Sequence, residues 1–497
     1  MGQLEFMEGM QRFRLLQIRN GSVASAIRNG SPCHQDDDSH DSKRMIYSGP
    51  ELPEDIWCHI HSLMLLRDAA RAACVSRAFF RSWRSHPHLM FDILNIGCPG
   101  IGRGFTSRVD PILKNHSGNG LKTLKLDFTD SYDAKASSCI DSWLRIVITA
   151  GIEELSLKMF SRKGEYNFPC SLLSDESESS IRYLRLVNCT FRPTVRLGRL
   201  RSLTTLHLCD VRITGDELGC LLSSCIALQR LELRKCSEIT CLKLPFLLQQ
   251  LSCLQVSECR HLRMIKSEAP SVSSFQFRGG KLKLLLGESL QLKNLNIDYS
   301  HSIIYYACKE LPSSAPNLES LTIYSTYEKL TTTMAPSKFL HLKYLGISLC
   351  CTYDYLSLVS FLDAAPSLET FILKVLIPPE RVECQSIFGD TSPFRRVPGY
   401  RHGKLKRVNI ARFYSAKSLV ELACHILENA TSLECLTLES TAGHYRCGLT
   451  GSAKCYPMSN HKEIPKAILA IRTYIEGIAP PTVDLNVVKP CDRCYVI

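Results

Sequence analysis

At 497 residues, with 45% hydrophobic and 22% charged side chains, the chain exceeds one compact core and has the composition of an ordered protein, so several domains or a stacked repeat array is expected. Its net charge of +12 is diffuse, with no block of five or six like charges, which argues against a dedicated nucleic-acid-binding arm. No stretch of eighteen apolar residues occurs, which excludes a membrane-spanning helix.

The first twenty residues mix Glu5 and Glu8 with Arg12, Arg14 and Arg19 and contain no apolar segment of a secretory signal. Phe6 stands where a myristoylation motif requires Ser or Thr. A cytoplasmic or nuclear location is therefore expected, where the 24 cysteines remain reduced. Residues 1–46 are rich in Gly, Ser and Asn and carry the acidic run Asp36-Asp37-Asp38. They lack the apolar surface to offset ordering entropy and read as a disordered tail.

Residues 47–92 change character. Leu52-Pro53-Glu54-Asp55 places Pro at the first helical position, with two acids facing the positive end of the helix dipole. Ile56, Ile60 and Leu63 then form one stripe. Asp68–Ala73 and Ser76–Trp83 read as second and third short helices. So small a module is marginal alone, and its apolar face needs a partner. Leu52-Pro53-Glu54-Asp55-Ile56, Asp68-Ala69-Ala70-Arg71, Val75-Ser76-Arg77, Phe79, Trp83 and Pro87 closely resemble the F-box of plant F-box proteins, with Phe79 where Trp is commoner. The resemblance implies docking on a Skp-type adaptor, and through it on a cullin. Leu52, Pro53, Ile56, Ile60, Leu63, Val75, Phe79 and Trp83 would form the docking stripe, and Phe79 and Trp83 its aromatic anchors.

Residues 93–120 read as a linker and repeat cap; the glycines of Gly100-Ile101-Gly102-Arg103-Gly104 lack the Lys-Ser/Thr of a phosphate loop. From residue 121 the unit aliphatic-x-x-aliphatic-x-aliphatic recurs thirteen times, counting Phe as aliphatic. The units begin at Leu121, Ile152, Ile181, Leu203, Leu228, Leu251, Val272, Leu292, Leu318, Leu342, Leu368, Leu405 and Leu433, mostly 20 to 31 residues apart. That period marks leucine-rich repeats. The expected fold is an α/β leucine-rich-repeat solenoid, a horseshoe over residues 121–440 preceded by the three-helix module, with residues 441–497 as a C-terminal capping segment. In Leu203-Thr204-Thr205-Leu206-His207-Leu208, alternation sends Leu206 and Leu208 inward and Thr205 and His207 outward. Stacked units build a parallel sheet over one apolar column, with helical return segments where long enough; Ser418-Leu419-Val420-Glu421 reads as a capping box opening one of them.

Cys189, Cys236, Cys259 and Cys350 follow their units at the position where such repeats place Asn or Cys, and Cys225 precedes Leu228. All five read as packing thiols. Ile213-Thr214-Gly215-Asp216-Glu217-Leu218 resembles the connection of the cysteine-containing repeat subclass often joined to F-boxes. Outward positions Tyr183, Arg185, His207, Arg230, Glu232 and Tyr344 form a polar and aromatic set suited to recognising a target protein, though plain solvated strand faces would look the same.

Leu405–Phe413, Glu421–Ala430, Leu433–Leu438, Ala470–Glu476 and Pro490-Cys491-x-x-Cys494 resemble the terminal repeats of cereal F-box/leucine-rich-repeat proteins. Cys491 and Cys494, with Cys447, Cys455 and His461 upstream, match no standard zinc spacing and read as ordinary thiols. No nucleotide, kinase or metalloprotease motif occurs, so neither a catalytic residue nor a cofactor is assigned. The resemblances together imply a non-catalytic substrate-recognition subunit of a Skp–cullin–F-box ubiquitin ligase, its repeats binding an unknown target protein for ubiquitination, while the diffuse charge and the lack of a long apolar stretch argue against a nucleic-acid or membrane partner. The alternative is a repeat-based interaction scaffold that does not drive degradation.

Overall fold

The computed structural model describes residues 53–489, apart from 75–76, 93–104, 119, 129–135, 161–164, 175–179, 194–196, 198–199, 281, 286–290, 302, 328–337, 351–353, 377–385, 390, 399–400 and 441–462. The expected N-terminal tail, Leu52, Val75, the glycine-rich stretch at 100–104 and the Cys491/Cys494 group with its upstream Cys447, Cys455 and His461 lie outside the described residues.

Three short helices come first: α1 (Glu54–Ser62), α2 (Leu66–Ala73) and α3 (Arg77–Trp83). Pro53 precedes α1 rather than opening it. Its ψ of 151° is extended, and its carbonyl accepts from the N–H groups of Ile56 and Trp57 at 3.1 and 3.2 Å. Its missing N–H costs nothing at that position. Beyond α3 the chain is tied by hydrogen bonds to residues 115–123. Ser117 N–H donates to the Arg84 carbonyl at 2.8 Å, and Arg84 Nε donates to the Asn115 carbonyl at 2.9 Å. Lys122 and Thr123 N–H both donate to the Pro87 carbonyl.

One parallel sheet of 15 strands then runs in chain order without a crossover. Its strands are β1 (His88–Phe91), β2 (Thr123–Phe128), β3 (Glu154–Met159), β4 (Tyr183–Val187), β5 (Thr205–Cys209), β6 (Arg230–Arg234), β7 (Cys253–Ser257) and β8 (Ser274–Gly279), then β9 (Asn294–His301), β10 (Ser320–Tyr327), β11 (Tyr344–Cys350), β12 (Thr370–Leu376), β13 (Arg407–Ala411), β14 (Cys435–Glu439) and β15 (Asp484–Val488). Each of the thirteen aliphatic units supplies one strand, β2 to β14. The sheet runs one strand further at each end. By register β1 and β15 carry His86 and Thr482 where the units start with an aliphatic residue, so the pattern misses them.

The inward pairs stack in register: Leu184 and Leu186 beside Leu206 and Leu208, then Leu231 and Leu233, all at most 1% exposed. Each such leucine contributes about 1.5–3 kcal/mol, but only because neighbouring repeats cover it.

Repeat length decides what forms the outer layer. Long repeats carry helices: α4 (Phe105–Asn115), α5 (Ser137–Thr149), α6 (Gly215–Ser224) and α7 (Lys417–Asn429) are the longest. The units at Leu228, Leu251, Val272 and Leu292 are only 20 to 23 residues apart. They have too few residues for a helix and instead form a second, three-stranded parallel sheet from Cys241–Leu244, Met264–Ser267 and Lys283–Leu285. The capping box of this chain opens α6, where Thr214 Oγ1 accepts from Glu217 N–H and the Glu217 carboxylate accepts from Thr214 N–H. Gly215 is required beside it, because a Cβ there would lie 2.5 Å from the Cys241 carbonyl oxygen.

A repeated left-handed residue ends several strands. Asn188, Asp210, Lys235, Glu258 and Arg412 have φ between 55° and 59°, each just past its strand. Asn188, Asp210 and Lys235 donate their N–H to the last carbonyl of the next strand, as Lys235 does to Ser257 at 2.9 Å, and Glu258 donates to Arg278, one residue before the end of β8. Lys235, with no Asn or Asp side chain to ease that conformation, carries the strain of an L-residue there. Lys235→Gly is expected to raise stability by about 0.5–1 kcal/mol in a urea titration; a drop would show that the turn is unstrained.

The capping box expected at Ser418–Glu421 does not form. α7 begins at Lys417 with Ala416 as its N-cap, and the Glu421 side chain is fully buried. Glu421 instead accepts from Arg395 N, Nε and Nη2 at 2.9, 2.9 and 2.6 Å, while Arg395 forks onto Asp354 at 2.8 and 2.9 Å. A charge-assisted, two-pronged partner outcompetes the helix's own N-cap. Arg395→Ala leaves a buried carboxylate unpaired, and a loss of about 3–5 kcal/mol is expected by chemical denaturation. An unchanged midpoint would mean that solvent replaces the guanidinium at no cost.

Candidate functional site

Two surfaces carry the functional candidates. The first is the helical module. Phe79 is turned into it, with its ring 4.7 Å edge-on from Trp57 and 4.8 Å stacked on His61. Burial pushes the His61 imidazole below its ordinary pKa. Trp83 is half-buried and meets His86 edge-on at 6.2 Å. These two aromatics therefore join the helices to one another and to the chain leading into β1. Ile60 is half-buried, whereas Pro53, Ile56 and Leu63 are exposed. The outer apolar surface consists of Leu63 at 76%, Leu65 at 72%, Phe80 at 52% and Ile56 at 41% exposure. Leu65 and Phe80 are additions to the residues read from sequence. Phe80 follows Phe79 directly, and only packing shows that Phe79 is the inner ring and Phe80 the outer one.

The second surface is the outward face of the sheet, where register aligns side chains across strands. Tyr183, Thr205, Arg230 and Cys253 form one row across β4 to β7. Arg185, His207, Glu232 and Gln255 form the next, and Val187, Cys209, Arg234 and Ser257 the third. Five of the six outward residues singled out from sequence thus meet on three adjacent strands. Tyr344 does not join them, since it lies on β11, five strands beyond β6, or about 24 Å at ordinary strand spacing. Arg234 belongs to the cluster and was legible, because it alternates with inward Leu231 and Leu233.

The cluster has a defined charge arrangement. His207 Nδ1 lies 3.1 Å from Glu232 Oε2. Burial first, then the neighbouring Arg185 and Arg234, push the imidazole down to about 4, so at neutral pH it is uncharged and donates its one N–H to the carboxylate. Burial raises the Glu232 carboxyl against the opposing pull of Arg185, Arg230 and Arg234. Burial likewise raises the Tyr183 phenol. Arg234 reaches Glu258 only at 4.0 Å. Among the described residues Arg185 and Arg230 make no ion pair, and Arg185 Nε is shut off from solvent with no acceptor. Along the middle row beyond Glu232 come Gln255, Gln276 and Asn296, whose amides face outward with no partner among the described residues.

The Cys189 and Cys225 thiols are held inert by burial, whereas a hydrogen bond from Cys236 pulls the Cys259 thiol below its ordinary pKa. Cys189, Cys225, Cys236 and Cys259 are buried, and burial pushes the Cys189 and Cys225 thiols up to about 12, far from a reactive thiolate. The Cys350 side chain lies outside the described residues. Among the described residues no cluster of three or more His, Cys, Asp or Glu stands ready for a metal, and no helix is long and apolar enough to cross a membrane.

Helical module and repeat sheet together define an F-box/leucine-rich-repeat protein. The F-box domain model matches residues 50–90, and the family model described as At1g61320/AtMIF1, LRR domain, matches residues 112–492. The chain belongs to that leucine-rich-repeat family. Among curated relatives it is similar to the F-box/FBD/LRR-repeat protein At5g56420 of Arabidopsis thaliana, 28% identical over 189 residues, or 37% of this chain and 43% of the relative. It is also similar to the putative FBD-associated F-box protein At5g53635 of Arabidopsis thaliana, 22% identical over 412 residues, covering 78% of this chain and 94% of the relative. The F-box/LRR-repeat protein At3g59190 of the same plant is 28% identical over 198 residues, covering 37% and 49%. The chain thus spans less than half the length of the first and third of these relatives.

The depressed His207 pKa has a direct consequence. An unfolded His takes up a proton near pH 6.5 while the folded one resists until about 4, so stability falls as pH drops through that window. This group alone is expected to cost about 1 kcal/mol between pH 7 and 5.5. In urea titrations at the two pH values, His207→Gln should show a smaller acid loss than the unaltered chain. Equal losses would mean that His207 is accessible to protons.

Proposed function

We propose that this chain is the substrate-recognition subunit of a Skp–cullin–F-box ubiquitin ligase. Its F-box docks on a Skp-type adaptor, and the outward face of its repeats holds a target protein. The observation that carries this reading is the outer surface of the helical module. Leu63, Leu65, Phe80 and Ile56 are each exposed on a small three-helix domain with little core of its own, and large apolar side chains left in solvent this way mark a protein–protein interface. The match of residues 50–90 to the F-box model supports the choice of adaptor. The chain itself has no catalytic role here. Acceleration of ubiquitin transfer comes from holding the target near a charged conjugating enzyme. The residues of the second surface, Tyr183, Arg185, His207, Arg230, Arg234 and Glu232, are placed for target binding, and the location that fits this assembly is cytoplasmic or nuclear.

Co-purification with a Skp-type adaptor tests the proposal. Leu63→Asp combined with Phe80→Asp is expected to weaken adaptor recovery by at least about 30-fold, as for interface anchors worth 2 kcal/mol or more, while circular dichroism stays unchanged. Pro53→Ala and Leu52→Ala extend the test to the start of the expected stripe. Adaptor recovery equal to that of the unaltered chain from the Asp variant would overturn the docking surface.

A further inference from the structure

The outward face is not uniformly suited to any protein. Across β4 to β6 three guanidiniums, Arg185, Arg230 and Arg234, surround a single carboxylate, Glu232, and His207 already holds that carboxylate at 3.1 Å. Arg234 has only a distant second partner in Glu258. On either side of the cluster the outward charges are paired, although Lys374 on β12 and Arg407 on β13 stand outward without an acidic partner among the described residues. Lys158 pairs with Asp127 at 2.9 Å on one side of the cluster, and Arg278 with Asp298 at 3.2 Å on the other. The surplus of positive charge on β4 to β6 spans three rows: Arg185, in the row of Glu232, is half-buried, where desolvation strengthens an ion pair, while Arg230 and Arg234 are exposed. Arg185 Nε, closed to solvent and without an acceptor, is a donor that a bound anion would satisfy. Farther along Arg185's row, beyond His207 and Glu232, Gln255, Gln276 and Asn296 carry amides with no partner among the described residues. A primary amide both donates and accepts, which suits the N–H and C=O groups of an extended backbone.

We infer that the target is engaged through an extended acidic segment whose anionic side chain seats among Arg185, Arg230 and Arg234 while its backbone lies along Gln255, Gln276 and Asn296. This rests on the target-binding role proposed above and adds the chemical class of the recognised element. The anion is either the carboxylate of Asp or Glu or the phosphate of a phosphorylated Ser or Thr; Arg forks accept both. A nucleic-acid strand fits less well, because Glu154, Glu232, Glu258 and Asp298 interrupt the basic face and repel a continuous phosphate backbone.

The test uses the full chain in complex with a Skp-type adaptor. It is probed with an array of random 12-residue peptides in which each position samples neutral residues, Asp or Glu, and phosphoserine. A 20-nucleotide single-stranded RNA and its DNA equivalent serve as competitors. Enrichment of acidic or phosphorylated peptides is expected, with binding lost at least tenfold in Arg185→Gln/Arg230→Gln and retained in Tyr344→Ala. Phosphoserine enriched over Glu identifies a modified target; equal enrichment identifies an unmodified acidic one. Selection of neutral or basic peptides, binding indifferent to the arginine changes, no peptide binding at all, or displacement by the oligonucleotides would each overturn the inference. Adaptor recovery is read in the same samples, so loss of the F-box role and loss of the acidic-target role are seen separately.

Discussion

Everything in this molecule depends on one constraint: a strand with two inward leucines has nowhere to put them until the next repeat arrives. Leu206 and Leu208 are sealed only because Leu184 and Leu186 lie on one side and Leu231 and Leu233 on the other. That requirement fixes the register of the whole sheet. A slip of one residue would move every leucine into solvent and every polar partner into the core. The same requirement aligns the outward residues into straight rows. The charged cluster on β4 to β6 is thus a by-product of how the core must stack.

The stack must also end. At the N-terminal side β1 is joined to the F-box helices through Pro87 and Arg84, whose carbonyls receive N–H groups from Lys122, Thr123 and Ser117. The F-box is therefore part of the way the column is closed and not a bead on a string. Its inner aromatics, Phe79 against His61 and Trp83 against His86, hold that joint, leaving its outer apolar residues free for another polypeptide.

How much of this could be read in the sequence depends on the range of each interaction. The strands β2 to β14 were legible because their signal is local, three aliphatic residues at fixed offsets. The outermost strands were not, since His86 and Thr482 occupy the leading position and only pairing with a neighbour reveals them. Alternation identified Arg185, His207, Arg230 and Glu232 as outward, yet their meeting, and the separation of Tyr344, depends on which repeats are adjacent. The sequence pattern marks Phe79 as a docking anchor and gives Phe80 no role, yet the helix turns Phe79 inward against His61 and leaves Phe80 exposed. Glu421 looked like a capping residue because the string Ser418–Glu421 is complete in itself; its true partners, Arg395 and through it Asp354, lie dozens of residues away.

The change of outer layer along the solenoid has a geometric result. Helices are about 10 Å across, twice the roughly 4.8 Å between paired strands. Repeats backed by helices need more width on the outside than their strands take on the inside. Where Cys241–Leu244, Met264–Ser267 and Lys283–Leu285 form the back, both layers advance by the same step and nothing forces a bend. From β6 to β9 the two layers thus share one spacing. Gln255, Gln276 and Asn296 stand on consecutive strands of that stretch, so a chain crossing them meets one amide at each strand step.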